Sequence, residues 1–218
     1  MDRIRTMIDR SGPAMSRRAL LAGMAASAAA RPASAASPQI GLWASAPEIS
    51  AILRARVMRA LAVHESRIWT RDVVAIVDFG LPSAMPRLFL VDLLAGRTQA
   101  MLVAHGSGSD PDHSGRLQHF SDVMGSEATA EGAYLTGEAY IGDHGPSRRL
   151  AGLDATNIHA EERAIVIHSA WYVGPEIVAR QGRLGRSNGC FAVSAADIGA
   201  LLARLGRGRL LYAGSSAT

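Results

Sequence analysis

From Asp72 onward the chain consists of short β-branched and apolar runs cut by glycine and proline, and this rhythm constrains the fold more than any other feature. Val73-Val74-Ala75-Ile76-Val77, Leu88-Phe89-Leu90-Val91 and Gln99-Ala100-Met101-Leu102-Val103 are separated by Gly80, Pro82, Pro86 and Gly96. The same kind of run returns at Ala133-Tyr134-Leu135-Thr136, Ala164-Ile165-Val166-Ile167 and Arg209-Leu210-Leu211-Tyr212. Each is too short for a stable helix and suits a strand. Two segments break the rhythm. Pro47 to Glu65 places Ile49, Ile52, Leu53, Val57 and Leu61 at helical spacing, with Arg54, Arg56 and Arg59 between them, and predicts a packing helix. Ser194 and Asp197 open a capping-box-like helix through Leu205. The expected class is therefore α+β and β-rich, with one N-terminal helix and one helix late in the chain.

A stretch rich in Gly, Ser, Asp and His, from Gly106 to Gly132, predicts a long surface excursion of the kind that carries function. With 218 residues, 48% of them hydrophobic, the chain suffices for one domain with a real core.

Residues 1–36 read as an export leader. An arginine-bearing stretch ends in Ser16-Arg17-Arg18, an alanine-rich apolar run begins at Ala19, and Ala33-Ser34-Ala35 supplies a small-residue cleavage site. The paired arginines resemble a twin-arginine signal, an ordinary secretory signal being the alternative. The apolar run is well short of a membrane span. Residues 37–70 then form the helical segment and 71–218 the main domain. The leader holds six of the 23 basic and two of the 19 acidic residues, so 17 of each remain beyond it. That balance removes the net positive field that non-specific nucleic-acid binding needs. Export also makes Cys190 informative, because an oxidising compartment favours paired cysteines and this one has no partner in the chain. It is either a buried spectator or a thiol kept for its reactivity.

His168 ends an apolar run, and Cys190 closes Gly185-Arg186-Ser187-Asn188-Gly189-Cys190 just ahead of the late helix. An imidazole can take a thiol proton, and arginines or a helix N-terminus can stabilise the thiolate. Gly189 permits a tight turn that aims amide N–H groups at a developing oxyanion. Alone, this pair leaves open a buried cysteine beside a satisfied histidine. His105, Asp110, Asp112, His113 and His119 lie close in sequence, yet their spacing matches no metal-ligand motif, so neither metal nor cofactor is expected.

The segments His168-Ser169 and Ser187-Asn188-Gly189-Cys190 resemble the signature of the murein L,D-transpeptidase catalytic domain (YkuD-type). The similarity extends through Ala104-His105-Gly106, Gly132-Ala133-Tyr134-Leu135-Thr136-Gly137, Gly142-Asp143-His144-Gly145 and Arg163-Ala164. The resemblance implies a β-sandwich or barrel, and an exported, periplasmic or wall-associated monomer acting on peptidoglycan stem peptides. It implies Cys190 as nucleophile, His168 as base, Ser169 as the carbonyl that orients the imidazole, and the Gly189 and Cys190 amides as oxyanion donors. His105 and His144 become pocket-lining candidates, and Ser187 and Asn188 substrate contacts. Asn188 and Phe191-Ala192 depart from the usual pattern around the cysteine, which moves a substrate-carboxylate contact to Arg183 or Arg186, unless these are solvated loop residues. Tyr134, Trp171 and Tyr172 either stack on substrate or pack in the core. Two rivals share these residues: a stem-peptide thiol hydrolase with water as acceptor, and a catalytically silent wall-binding module.

Overall fold

A computed structural model describes residues 48–217, so the leader and residues 37–47 lie outside the described part. Helix α1 spans Ala51–Val63. Strands β1 (Val73–Asp78), β2 (Leu88–Asp92), β3 (Arg97–Met101) and β4 (Val103–Ala104) follow, and a 3-10 turn over Ser107–Ser109 begins the excursion. Beyond it come β5 (Gly132–Gly142), β6 (Gly145–Gly152), β7 (Val166–Ser169), α2 (Pro175–Gln181), β8 (Phe191–Val193), α3 (Ile198–Arg204) and β9 (Leu210–Gly214).

All nine strands form one sheet in the order β3-β2-β1-β9-β5-β6-β7-β8-β4. Its two edges, β3 and β4, are separated in sequence only by Leu102, so the sheet curls until the edges nearly meet. Arg87 bridges that seam. It is fully buried, its Nε and Nη2 both donate to the Val103 carbonyl at 3.0 and 2.9 Å, and its amide donates to Met101 at 3.0 Å. A planar guanidinium offers five fixed donors, which suits carbonyls that no neighbouring strand can reach.

Strand β1 explains why its run is apolar without alternation. Val73, Ala75 and Val77 face the interior core together with Leu88, Phe191, Val193, Leu201 and Leu205, while Val74 and Ile76 face the opposite side, beneath Leu53, Val57 and Leu61 of α1. Burial on both faces makes every position apolar. Ser50 caps α1 by accepting from the Leu53 amide at 3.2 Å.

Three elements depart from expectation. Strand β6 and the outer half of β5 escape the apolar pattern because they mix exposed Glu138, Ala139, Ile141, Pro146 and Arg149 with the buried polar Ser147 and Arg148. Helix α2 is too short to show a period, although Pro175 at its first turn and Gly182, at φ 68°, bound it in the usual way. Strand β8 stands where Cys190 was expected to run toward a helix. The Ser194–Asp197 pair does form, Asp197 N to Ser194 Oγ at 3.1 Å, but a whole strand separates Cys190 from α3.

Candidate active site

Strands β7 and β8 are parallel neighbours, with Ile167 opposite Phe191 and His168 opposite Ala192. Ile167 and Phe191 both point into the core. By the alternation of a pleated strand, His168 and the position of Cys190 fall on the other face. Both line one cleft of about 520 Å³, with Tyr140, Asp143, His144, Tyr172, Arg186 and Asn188 also on its walls. Residues 22 positions apart in sequence, with a helix between them, are thus brought together by a single parallel pairing.

His168 Nδ1 lies 2.8 Å from the Ser169 carbonyl. Only a protonated Nδ1 makes that bond, so Nε2 is the acceptor in the neutral ring. Burial lowers the His168 pKa below that of an ordinary histidine, and His144 lowers it further against the opposing carbonyl. The His144 ring stacks on His168 with centroids 4.4 Å apart. It reaches there because Gly142 pairs with Gly145, making His144 half of a two-residue hairpin tip, and Ser169 Oγ holds that tip by donating to the His144 carbonyl at 3.2 Å.

The Cys190 thiol is half-buried and donates to the Ala164 carbonyl at 3.7 Å. Burial raises its pKa, offset in part by a backbone hydrogen bond at Val166 and by the charge of Arg163. Both shifts favour the neutral forms, thiol and imidazole. The positive side of the local field comes from Arg163, not from α3. Its guanidinium is almost wholly buried and donates to Ser121 O at 2.9 Å, Asp122 Oδ1 at 3.2 Å, Ser126 Oγ at 3.3 Å and Ala128 O at 2.5 Å. Near neighbours gave no sign of this role for Arg163, because its side-chain partners all lie 35 residues or more upstream.

The turn before the cysteine is braced by Ser187, whose Oγ donates to the Cys190 carbonyl at 2.7 Å and accepts from the Gly189 amide at 3.2 Å. In this arrangement the Gly189 amide is engaged inside the turn, and the buried Ser187, which also lines the cleft, has its hydroxyl bonded within the loop. Gly189 is needed for another reason. Its φ is 109°, and a Cβ there would sit 2.8 Å from the Ala128 carbonyl oxygen and 2.9 Å from Ile165 Cδ1.

The other expected contacts divide between the cleft and elsewhere. Tyr134 is fully buried, its ring against Phe191 at 5.3 Å and its hydroxyl donating to Ala130 O, so it is core. Arg183 does not line the cleft; its Cβ and Cδ pack toward Gly115. Arg186 does line the cleft, but its Nη1 donates to the Asp110 and Pro111 carbonyls and ties the excursion to the cysteine loop. Asn188 is exposed at the cleft wall. Trp171 is 80% exposed and borders a neighbouring depression.

His105 is a buried strut instead of a pocket residue. Arg87 Nη2 donates to its Nδ1 at 2.7 Å, so Nε2 carries the proton toward Asp110 Oδ2 at 3.2 Å. Asp110 also accepts from the Ser114 amide and hydroxyl and from the Gly115 amide, each at 2.8 Å. His105 and Asp110 are thus bound to each other and His113 to the Leu184 carbonyl, and the described residues contain no group of three or more placed to hold a metal. The strut bears on the site, since Ser187 N donates to His105 O at 2.9 Å and Ser107 N to Ser187 O at 2.7 Å.

Among solved structures, an L,D-transpeptidase from Mycobacterium smegmatis is 13% identical, with TM-score 0.42 over 66% of this chain and 59% of its own. Another, from Mycobacterium tuberculosis H37Rv, is 13% identical, with TM-score 0.43 over 66% and 58%. One from Xylanimonas cellulosilytica is 16% identical, with TM-score 0.38 over 66% and 61%. This chain thus spans less than two thirds of the length of these relatives. No curated protein matches the sequence. The family described as the L,D-transpeptidase catalytic domain matches residues 47–213, well over half of the chain, and the protein belongs to that family.

Proposed function

We propose that this protein is an exported cysteine acyltransferase acting on peptidoglycan stem peptides. One observation carries the reading: Cys190 and His168 share a face of paired parallel strands and one cleft, with the imidazole Nε2 left as an acceptor. In the resting enzyme the thiol hydrogen bond goes to Ala164, so reaction begins with rotation of the sulfur proton toward His168 Nε2. The imidazole takes the proton as sulfur attacks the carbonyl of the third stem residue. The Cys190 amide stabilises the resulting oxyanion, since the Gly189 amide is occupied. Collapse breaks the peptide bond, the imidazolium protonates the departing D-alanine amine, and a thioester remains. An amine of a second stem attacks the thioester, loses its proton to His168 and restores the thiol, giving a 3-3 cross-link. Residues 1–36 fit export ahead of this chemistry, and among the described residues no helix is long and apolar enough to cross a membrane.

Incubation with a carbapenem, whose strained amide mimics the acyl donor, tests the nucleophile. Mass spectrometry should show one adduct on Cys190 and none on Cys190→Ala; an equal adduct on the variant overturns the assignment. Incubation with isolated tetrapeptide muropeptides then distinguishes transfer, which yields dimers, from hydrolysis, which yields trimmed monomers.

A further inference from the structure

Beside the cysteine cleft lies a second depression of about 280 Å³, built by Trp171, Tyr172, His113, Gln181 and Ser107. Tyr172 and Arg186 belong to both hollows, so the second continues the first across a shared wall. Its walls come from two distant parts of the chain, the excursion and the approach to the cysteine loop, and His113 pins them together by donating from Nε2 to Leu184 O at 2.9 Å. Trp171 stands edge-to-face on Tyr172 at 5.7 Å and remains 80% exposed. The indole therefore presents an open aromatic face at the edge of the depression.

We propose that this depression is a saccharide subsite that holds a pyranose ring of the glycan strand carrying the stem. The reading rests on the proposed action on peptidoglycan, and it adds the part of the substrate that the cysteine cleft does not hold. A pyranose has one face of C–H groups, which suits stacking on the Trp171 ring, and a rim of hydroxyl and acetamido groups. Gln181 offers both a donor and an acceptor at that rim. The guanidinium of Arg186, committed to backbone carbonyls through Nη1 alone, provides further donors where the two hollows meet. A peptide side chain would use the indole but not this polar rim. Continuity with the cleft matters too, because a stem peptide is covalently attached to a sugar and the two must be seated side by side.

The test titrates the N-acetylglucosamine trimer into the protein while the backbone amide resonances are followed by NMR, and separately measures carbapenem acylation of Cys190 in the same preparation. Saturable perturbation of amides around the depression is expected, with affinity weakened about tenfold or more in Trp171→Ala and largely retained in Trp171→Phe. Because Trp171 is exposed, neither substitution disturbs the core. No saturable binding, binding indifferent to Trp171→Ala, or displacement of the trimer by a sugar-free tetrapeptide each overturns the subsite. Acylation with no saccharide binding would remove the subsite and leave the acyltransferase; saccharide binding without acylation would do the reverse.

Discussion

Two histidines in this protein have similar surroundings and opposite work. His168 has its Nδ1 committed to a carbonyl and, in the proposed reaction, keeps Nε2 for the thiol proton, whereas His105 has both nitrogens committed, to Arg87 and Asp110. The His168 pKa is depressed, so the ring stays neutral and able to accept a proton to lower pH than a free imidazole. The acidic limb of the acylation rate against pH should therefore have its midpoint below the ordinary histidine value. His144→Gln removes a neighbour that holds this pKa down, and should move that limb toward higher pH, as stopped-flow acylation across a pH series would reveal. At Gly189, alanine would meet the Ala128 carbonyl at 2.8 Å in a backbone conformation that L residues avoid. Gly189→Ala should abolish acylation while costing about 1 to 3 kcal/mol in urea unfolding.

At the scale of elements, the seam between β3 and β4 depends on one side chain. Burial pulls the Arg87 pKa down to about 9, opposed by Asp78 and Asp110, so the group still carries its charge at neutral pH. Replacing it with methionine would strand the Val103 and Leu81 carbonyls and leave Asp78 and Asp110 without their cation. The expected loss is about 3 to 5 kcal/mol by chemical denaturation, far more than a surface arginine would show. By contrast, Ser50→Ala removes one cap from α1 and should cost about 1 kcal/mol, with acylation at Cys190 unchanged. The comparison separates an element that closes the sheet from one that only covers it.

For the molecule as a whole, the buried His105 links stability to pH. Burial and Arg87 lower its pKa to about 4, from 6.5 in the unfolded chain. A depressed value means that the unfolded state binds the proton first, so this contribution is complete above pH 6.5 and is lost as pH falls toward 4. The size is about 3 kcal/mol over that window. Thermal melts at a series of pH values should show the decline, and His105→Gln, which cannot titrate, should flatten it.

How much of this was legible beforehand follows one division. The runs of β1, β2 and β9, the periodicity of α1, and the local marks around His168 and Cys190 are properties of near neighbours, and the chain displays them directly. Strand β8, with its three residues, and α2, with seven, are too short for any period, and the β5–β6 hairpin exposes Ile141 while burying Ser147 and Arg148, so no alternation marks it. What only the tertiary structure decided is the partnership of groups far apart in sequence. Arg163 was chosen as the cation behind Cys190, Asp110 became the hub of the excursion, Tyr134 went to the core, and the Gly189 amide was claimed by Ser187. A residue type states which bonds a side chain can make. Which groups stand within about 3 Å of it depends on strand order and on where the chain returns, and at Cys190 that rests on one parallel pairing of β7 with β8.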